Sequence, residues 1–188
     1  MSAATQNPAQ LPETGVWTVD PYHSTVGFHL KHQAAGTFRG RFSQFEATYD
    51  ASSGVLSGSV DAKSIKTFDM LDLELRSESF LDVARHPKIA FASTSVTNEG
   101  GALTIEGDLT MRDVTKACTL TGTLRGPSKV AGWDGPDSEH IGIDVAVTID
   151  RRDFGIEFNS ELFDGQMNLG WDVTLEFSLE FSTTIESA

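Results

Sequence analysis

The chain has 188 residues, 39% of them hydrophobic and 22% charged, which suits one folded domain with its own core. Its formal net charge of -13 argues against a nucleic-acid partner, which needs a basic footprint, and against adhesion to anionic lipid surfaces. The single cysteine, Cys118, excludes an intramolecular disulfide and reads as a small buried hydrophobe.

Residues 1–15 are polar and carry Pro8, Pro12 and Gly15, so they read as a flexible N-terminal arm before a domain spanning 16–183. The opening residues contain no basic side chain and no apolar h-region, and no run reaches the ~18 apolar residues of a membrane helix. The expectation is a cytoplasmic protein without stable membrane insertion. From Trp17 onward, short alternating runs are separated by Gly, Asp, Asn, Ser and Pro, the rhythm of strands and turns. Val26, Phe28 and Leu30 mark one strand, Val60 and Ala62 another, and Ile89 and Phe91 a third. Leu103, Ile105 and Leu109 follow, then Leu120 and Leu124. Asp50 to Gly54 and Asn98-Glu99-Gly100-Gly101 are hairpin turns.

Residues 69–84 differ. They hold good helix formers, with Leu71 and Leu75 at i, i+4; Ser77 or Ser79 is placed to cap a second short turn, and Pro87 ends the segment. Gly126 to Glu139 reads as a loop in which Trp133 is an oddity. Beyond it Ile141, Ile143, Val145, Val147 and Ile149 alternate with polar residues. Trp171, Val173, Leu175, Phe177, Leu179 and Phe181 then repeat the period of two over the longest stretch in the chain.

The expected fold is therefore all-β, a meander of about eight antiparallel strands with one short helical segment. Closure into a barrel removes the exposed edges, and eight strands leave room for side chains or one small ligand. A two-sheet sandwich is the alternative.

No nucleophile elbow, phosphate loop, His-Glu-x-x-His or Cys-x-x-Cys occurs. Regular alternation turns His32 inward with Val26, Phe28 and Leu30, and turns His29 outward beside Lys31, so the two do not chelate one metal. His23 reads as a turn residue. Pro21 to Phe45 contains no acid but does contain Lys31, Arg39 and Arg41: either a basic lip for a polar head-group or ordinary strand surface. Arg151 follows Ile149 in parity and can end an inward row. Asp72, Arg76, Arg151 and Asp153 otherwise read as a pair of structural ion pairs that fix the helical segment and a turn.

Taken together, the motifs resemble the YceI-like family of polyisoprenoid-binding, lipocalin-like proteins. They are Trp17-Thr18-Val19-Asp20 with His23-Ser24, Phe28 to His32, Ser64-Ile65-Lys66-Thr67, and Leu75-Arg76-Ser77 with Phe80. His86-Pro87-Lys88-Ile89-Ala90-Phe91, Gly107-Asp108-Leu109-Thr110-Met111-Arg112 and Arg151-Arg152-Asp153-Phe154-Gly155 complete the set. The resemblance implies an eight-stranded lipocalin-like barrel whose apolar tunnel holds a polyisoprenoid such as a polyprenyl phosphate, an isoprenoid quinone or a fatty-acid derivative. It also implies no enzymatic activity, no cofactor beyond that lipid, and frequent homodimers; many members are periplasmic. Leu71 stands where the family usually has Arg, Glu74 where it has His, Asp113 where it has Gly, and Ala117 where it has Pro.

The candidate ligand-binding set is Phe28, Leu30, His32, Phe38, Phe42, Leu75, Phe80, Phe91, Val145, Val147, Arg151, Phe154, Val173, Leu175 and Phe177. No catalytic residue and no metal ligand is assigned. The leading reading is a non-catalytic carrier of a long apolar lipid. An enzyme with His32 as general base beside Asp72 or Asp153 is the alternative, and a solid barrel acting as an interaction module is a third.

Overall fold

The computed structural model describes residues 9–132 and 136–185. Its first barrel strand is broken in two. β1 (Val16–Val19) stops at Asp20, whose carboxylate accepts the Tyr22 amide hydrogen at 2.8 Å and turns the chain, and β2 (Thr25–His32) resumes after it. β3 (Gly36–Phe42) and β4 (Phe45–Asp50) form the second, bent strand: β3 pairs with β2 while β4 pairs with β1.

β5 (Val55–Asp61), β6 (Ile65–Lys66) and the helix α1 (Asp69–Leu75) come next. β7 (Lys88–Glu99), β8 (Ala102–Met111), β9 (Val114–Val130), β10 (Ser138–Asp150) and β11 (Leu169–Thr184) complete the chain. The long β11 closes the ring by pairing with β2 along one half and with β1 at Phe181 and Ser182. The result is an eight-stranded closed antiparallel barrel with, among the described residues, a single short helix, so the sandwich reading is set aside. β6 adds two residues beside β3.

The hairpin at Gly100-Gly101 has both residues at positive φ, 61° and 96°, and the Asn98 side chain accepts the Gly101 amide hydrogen at 3.0 Å. That mirror-image turn matches the strand twist. The next hairpin repeats it with Arg112 and Asp113 at 51° and 59°, an unusual conformation for residues other than glycine.

Four local expectations differ from the structure. The helix ends at Leu75 rather than near residue 84. Burial of Phe80 and Leu81, and Asp82 at φ 48°, bend the following residues into successive turns. Among the described residues neither Ser77 nor Ser79 caps a turn with its hydroxyl; the Ser77 carbonyl accepts the amide hydrogens of Phe80 and Asp82. Ala62 opens a 3-10 turn (Ala62–Ser64) instead of continuing β5. β9 runs through Gly126 and Pro127 to Val130, because the β9–β10 register shifts there and an irregular ladder tolerates proline. Trp133 lies outside the described residues, as do residues 1–8. Within the expected arm, the Ala9 carbonyl accepts from Asn98 Nδ2 at 2.8 Å and the Gln10 amide donates to the Gly126 carbonyl.

The barrel has two unlike ends. At one, Trp17, Tyr49, Leu103, Leu124, Ile141 and Phe181 pack solidly; Phe181 is 0% and Trp17 2% exposed, and the indole N–H donates to the Thr14 carbonyl at 3.0 Å. The other end holds the C-terminal half of β2, the start of β11 and α1, and it is hollow.

Candidate functional site

Inward parity does not fill the hollow end. A cavity of about 630 Å³ opens there, within the ~300–1,000 Å³ range of small-molecule sites. Its wall is mostly apolar. β2 and β3 supply Phe28, Leu30, Phe38 and Phe42, and the C-terminal strands supply Val145, Ile149, Val173, Leu175, Phe177 and Leu179. The rings of Phe28 and Phe38 lie 6.1 Å apart, and those of Phe28 and Phe42 6.0 Å apart, tilted as aromatic pairs prefer.

α1 lies at this end. Leu71 and Leu75 look into the cavity, as their i, i+4 spacing predicts, while Met70 and Leu73 are exposed. The helix has no side-chain N-cap. Instead Asp72 reaches back to Thr67, accepting its amide hydrogen at 2.6 Å and its hydroxyl at 2.8 Å; Lys66 Nζ and Arg76 Nη2 stand 3.5 and 3.8 Å from the same carboxylate. Burial pushes the Asp72 carboxyl up, but the Thr67 bonds and the Lys66 ammonium outweigh it and hold it below its ordinary value. Arg76 also donates to the Ile65 carbonyl at 3.1 Å. The expected ion pair of Asp72 with Arg76 is present, whereas among the described residues Arg151 and Asp153 form none.

All of the candidate ligand-binding residues line the cavity except Val147 and Phe154. Val147 packs within the β10–β11 wall opposite Leu175. Phe154, 2% exposed in a 3-10 turn (Arg151–Phe154), is part of the solid core because the chain has left the strand and parity no longer applies. His32 faces the cavity as expected. Among the described residues no hydrogen bond or ion pair joins it to Asp72 or Asp153; Asp72 is committed to Thr67, and Asp153 is exposed. His29 faces outward, its Nδ1 3.3 Å from Glu176 Oε2.

The basic stretch is not a lip of the cavity. Lys31, Arg39 and Arg41 alternate with the inward row and stand on the outer wall, where Arg39 meets Glu176 at 3.5 Å. His23 satisfies its turn through Asp20 at 2.7 Å. Cys118 is partly buried, and burial with nearby Asp108 pushes its thiol up, away from the reactive thiolate.

Arg151 is the unusual member. It is 4% exposed and lines the cavity. A bulge in β11 between Leu169 and Val173 frees the Gly170 carbonyl, which accepts from Arg151 Nε at 3.0 Å; Nη1 donates to the Ile156 carbonyl at 2.8 Å. The guanidinium lies 4.5 Å from the centre of the Trp171 ring.

Sequence reasoning missed Phe45, Phe68, Phe158 and Asn168, which also line the cavity. Phe158 and Asn168 sit in a segment without periodicity, so parity gave no handle on them. It also missed two inward glycines. A Cβ at Gly40 would lie 2.4 Å from the Phe28 ring, and one at Gly107 2.5 Å from the Phe91 ring. Both rings lie across the interior because these positions lack side chains; the signal was a glycine at an inward parity position near an aromatic residue.

Comparison with known proteins agrees with this architecture. The family described as the YceI-like domain matches residues 17–181. A UPF0312 protein of Staphylococcus aureus is 34% identical over 88% of this chain and 96% of its own length, and others from that species are 32% identical over the same shares. Among solved structures, BcnA of Burkholderia cenocepacia is similar with a TM-score of 0.68 at 20% identity, covering 86% of this chain and 98% of its own. A polyisoprenoid binding domain from Saccharophagus degradans, implicated in plant cell wall breakdown, gives 0.63 at 13% identity over 88% and 97%. At these identities the structures speak for the fold alone. The family match and the Staphylococcus relatives, reaching across the same barrel that encloses the cavity, make this chain a member of the YceI-like domain family.

Proposed function

We propose that the protein binds one long apolar lipid tail inside the barrel and carries or sequesters it without chemical change. The observation that supports this is the cavity: a continuous apolar void in a closed barrel whose opposite end is solid. A barrel meant only as a scaffold would fill that space with side chains, since interiors pack to crystal-like density. Taking ~30 Å³ for each methylene-sized group, the share of a water molecule in the liquid, the cavity accommodates roughly twenty chain atoms. Each buried CH₂ contributes about 0.8 kcal/mol, so tail burial alone drives binding. A polyisoprenoid, an isoprenoid quinone or a fatty-acid derivative all meet this description. The Saccharophagus domain, a polyisoprenoid binder by its description, lends weight to the first.

Native mass spectrometry of freshly purified protein, followed by organic extraction, tests the proposal. One long-chain lipid per chain is the expected result. Protein that releases no lipid and takes up none when offered would overturn it.

A further inference from the structure

Among the described residues the one buried charge of the cavity wall, Arg151, makes no direct ion pair. Arg151 has three guanidinium nitrogens; Nε and Nη1 are taken by the carbonyls of Gly170 and Ile156, and Nη2 is buried with no hydrogen-bond partner. Among the described residues no carboxylate pairs with it. The adjacent Asp150 acts on Arg151 through space, but its carboxylate is bound to the Arg152 backbone amide and side chain and gives Nη2 no hydrogen bond. Arginine stays protonated in proteins, and a buried cation lacking a partner is costly. His32 and Asn168 add two polar groups to the same wall, and the side-chain oxygen of Asn168 is also buried without a partner. The other polar residues of the lining include Glu46, Ser59 and Glu74; both glutamates are exposed, so the buried polar groups of the wall lie where β2 ends and β11 begins.

We infer that Arg151 is the head-group anchor, and that the ligand is a single-chain amphiphile with an anionic oxygen head, a carboxylate or a phosphate, seated against Nη2 with its tail among Phe28, Leu30, Leu175 and Phe177. This inference rests on the lipid-binding reading above and narrows it: a neutral hydrocarbon, alcohol or quinone leaves the charge unmatched. Two backbone carbonyls and the Trp171 ring fix the guanidinium before any ligand arrives, so the head meets a pre-set donor. The basic residues of the outer wall do not reach this position.

The test is the affinity of the delipidated full chain for four probes: geranylgeranyl monophosphate and geranylgeraniol, hexadecanoate and hexadecanol. Each anion is expected to bind at least about tenfold more tightly than its alcohol, the scale of a hydrogen bond to a charged group. The preference should persist in about 1 M NaCl, where exposed charges are screened beyond about 3 Å. In Arg151→Gln it should collapse towards unity while the alcohols still bind. Arg151→Lys, which keeps the charge but not the fork, should retain part of the preference and guards against a Gln variant that does not fold. Equal affinity for anion and alcohol in the parent overturns the inference and leaves the lipid reading standing. A preference abolished by salt overturns it in favour of the outer-wall residues. Failure of all four probes to bind overturns the lipid reading itself.

Discussion

Arg112 Nη1 donates to the carbonyl oxygen of Phe80 at 3.0 Å and to that of Gly155. One side chain in a hairpin turn thereby ties the β8–β9 end to the segment after α1 and to the turn that carries Arg151. This explains why a residue held at φ 51° is not glycine. Arg112→Gly relaxes the backbone but strips two carbonyls of a charged donor. The expected outcome is a loss of about 2 kcal/mol in chemical denaturation. Asp113→Gly, at φ 59°, gives up only an exposed contact with His86 and should stay within about 1 kcal/mol of the parent. If Arg112→Gly is as stable as Asp113→Gly, the tie carries no weight.

Asp72 fastens the start of the helix that lies at the hollow end. Its folded carboxyl lies below the ordinary value of 3.8. A depressed acid contributes stability that is fully present above that value and is lost as pH falls through the folded pKa. Asp72→Asn should therefore lower Tm by several degrees at neutral pH, and the gap between variant and parent should narrow as the solution is acidified below about pH 4. Paired thermal melts across that interval read it directly. A gap that widens in acid would contradict the assignment.

The parts of this fold that were legible are those where one rule dominates. Alternation over Ile141–Ile149 and Val173–Phe181 identified the inward faces of β10 and β11, and the Gly100-Gly101 pair identified a turn; Trp171, in the bulged start of β11, leaves the inward row and stacks against Arg151 and Arg152. The cavity itself was legible only through resemblance. Periodicity says which side chains point inward but not whether they meet in the middle. Phe154 shows the limit: its row had already ended in a 3-10 turn. Gly126 and Pro127 misled for the opposite reason, since local turn chemistry was overridden by pairing with β10. Arg151 was legible as an inward residue, but its unpaired nitrogen depends on a bulge in β11 that leaves no mark in composition.

His23 and Asp20 form a pair whose titration can be followed directly. The Asp20 carboxylate raises the His23 imidazole above its ordinary 6.5, and His23 in turn holds Asp20 below 3.8. The contribution from His23 is present below pH 6.5 and fades as pH rises through its folded pKa; that from Asp20 is present above 3.8 and is lost as pH falls through its own. NMR titration of the imidazole C–H signals should show His23 midpoints above 6.5 in the parent and near 6.5 in Asp20→Asn. Identical midpoints in the two proteins would mean that the pair is not formed in solution.

Leu175 allows the void and the core to be tested separately. It sits in the middle of β11, opposite Phe28 on one side and Val147 on the other, and its side chain faces the cavity. Leu175→Asp places a carboxylate where no described basic group meets it, and an uncompensated charge in such surroundings costs several kcal/mol, about 3–5 by analogy with broken buried pairs. A large loss is thus expected whether the space beyond Leu175 is empty or full. Leu175→Trp separates the cases. In a solid core the larger ring forces neighbours off their rotamers and costs about 1–3 kcal/mol. Beside a cavity of about 630 Å³ the ring has room, so Tm should stay within a few degrees of the parent. The same ring occupies volume that a tail would need, so affinity for hexadecanoate should fall at least about tenfold, the equivalent of two buried methylenes. A Trp variant that is stable and still binds at the parental level would place the tail away from Leu175. One that melts like Leu175→Asp would show that the barrel is filled at this position.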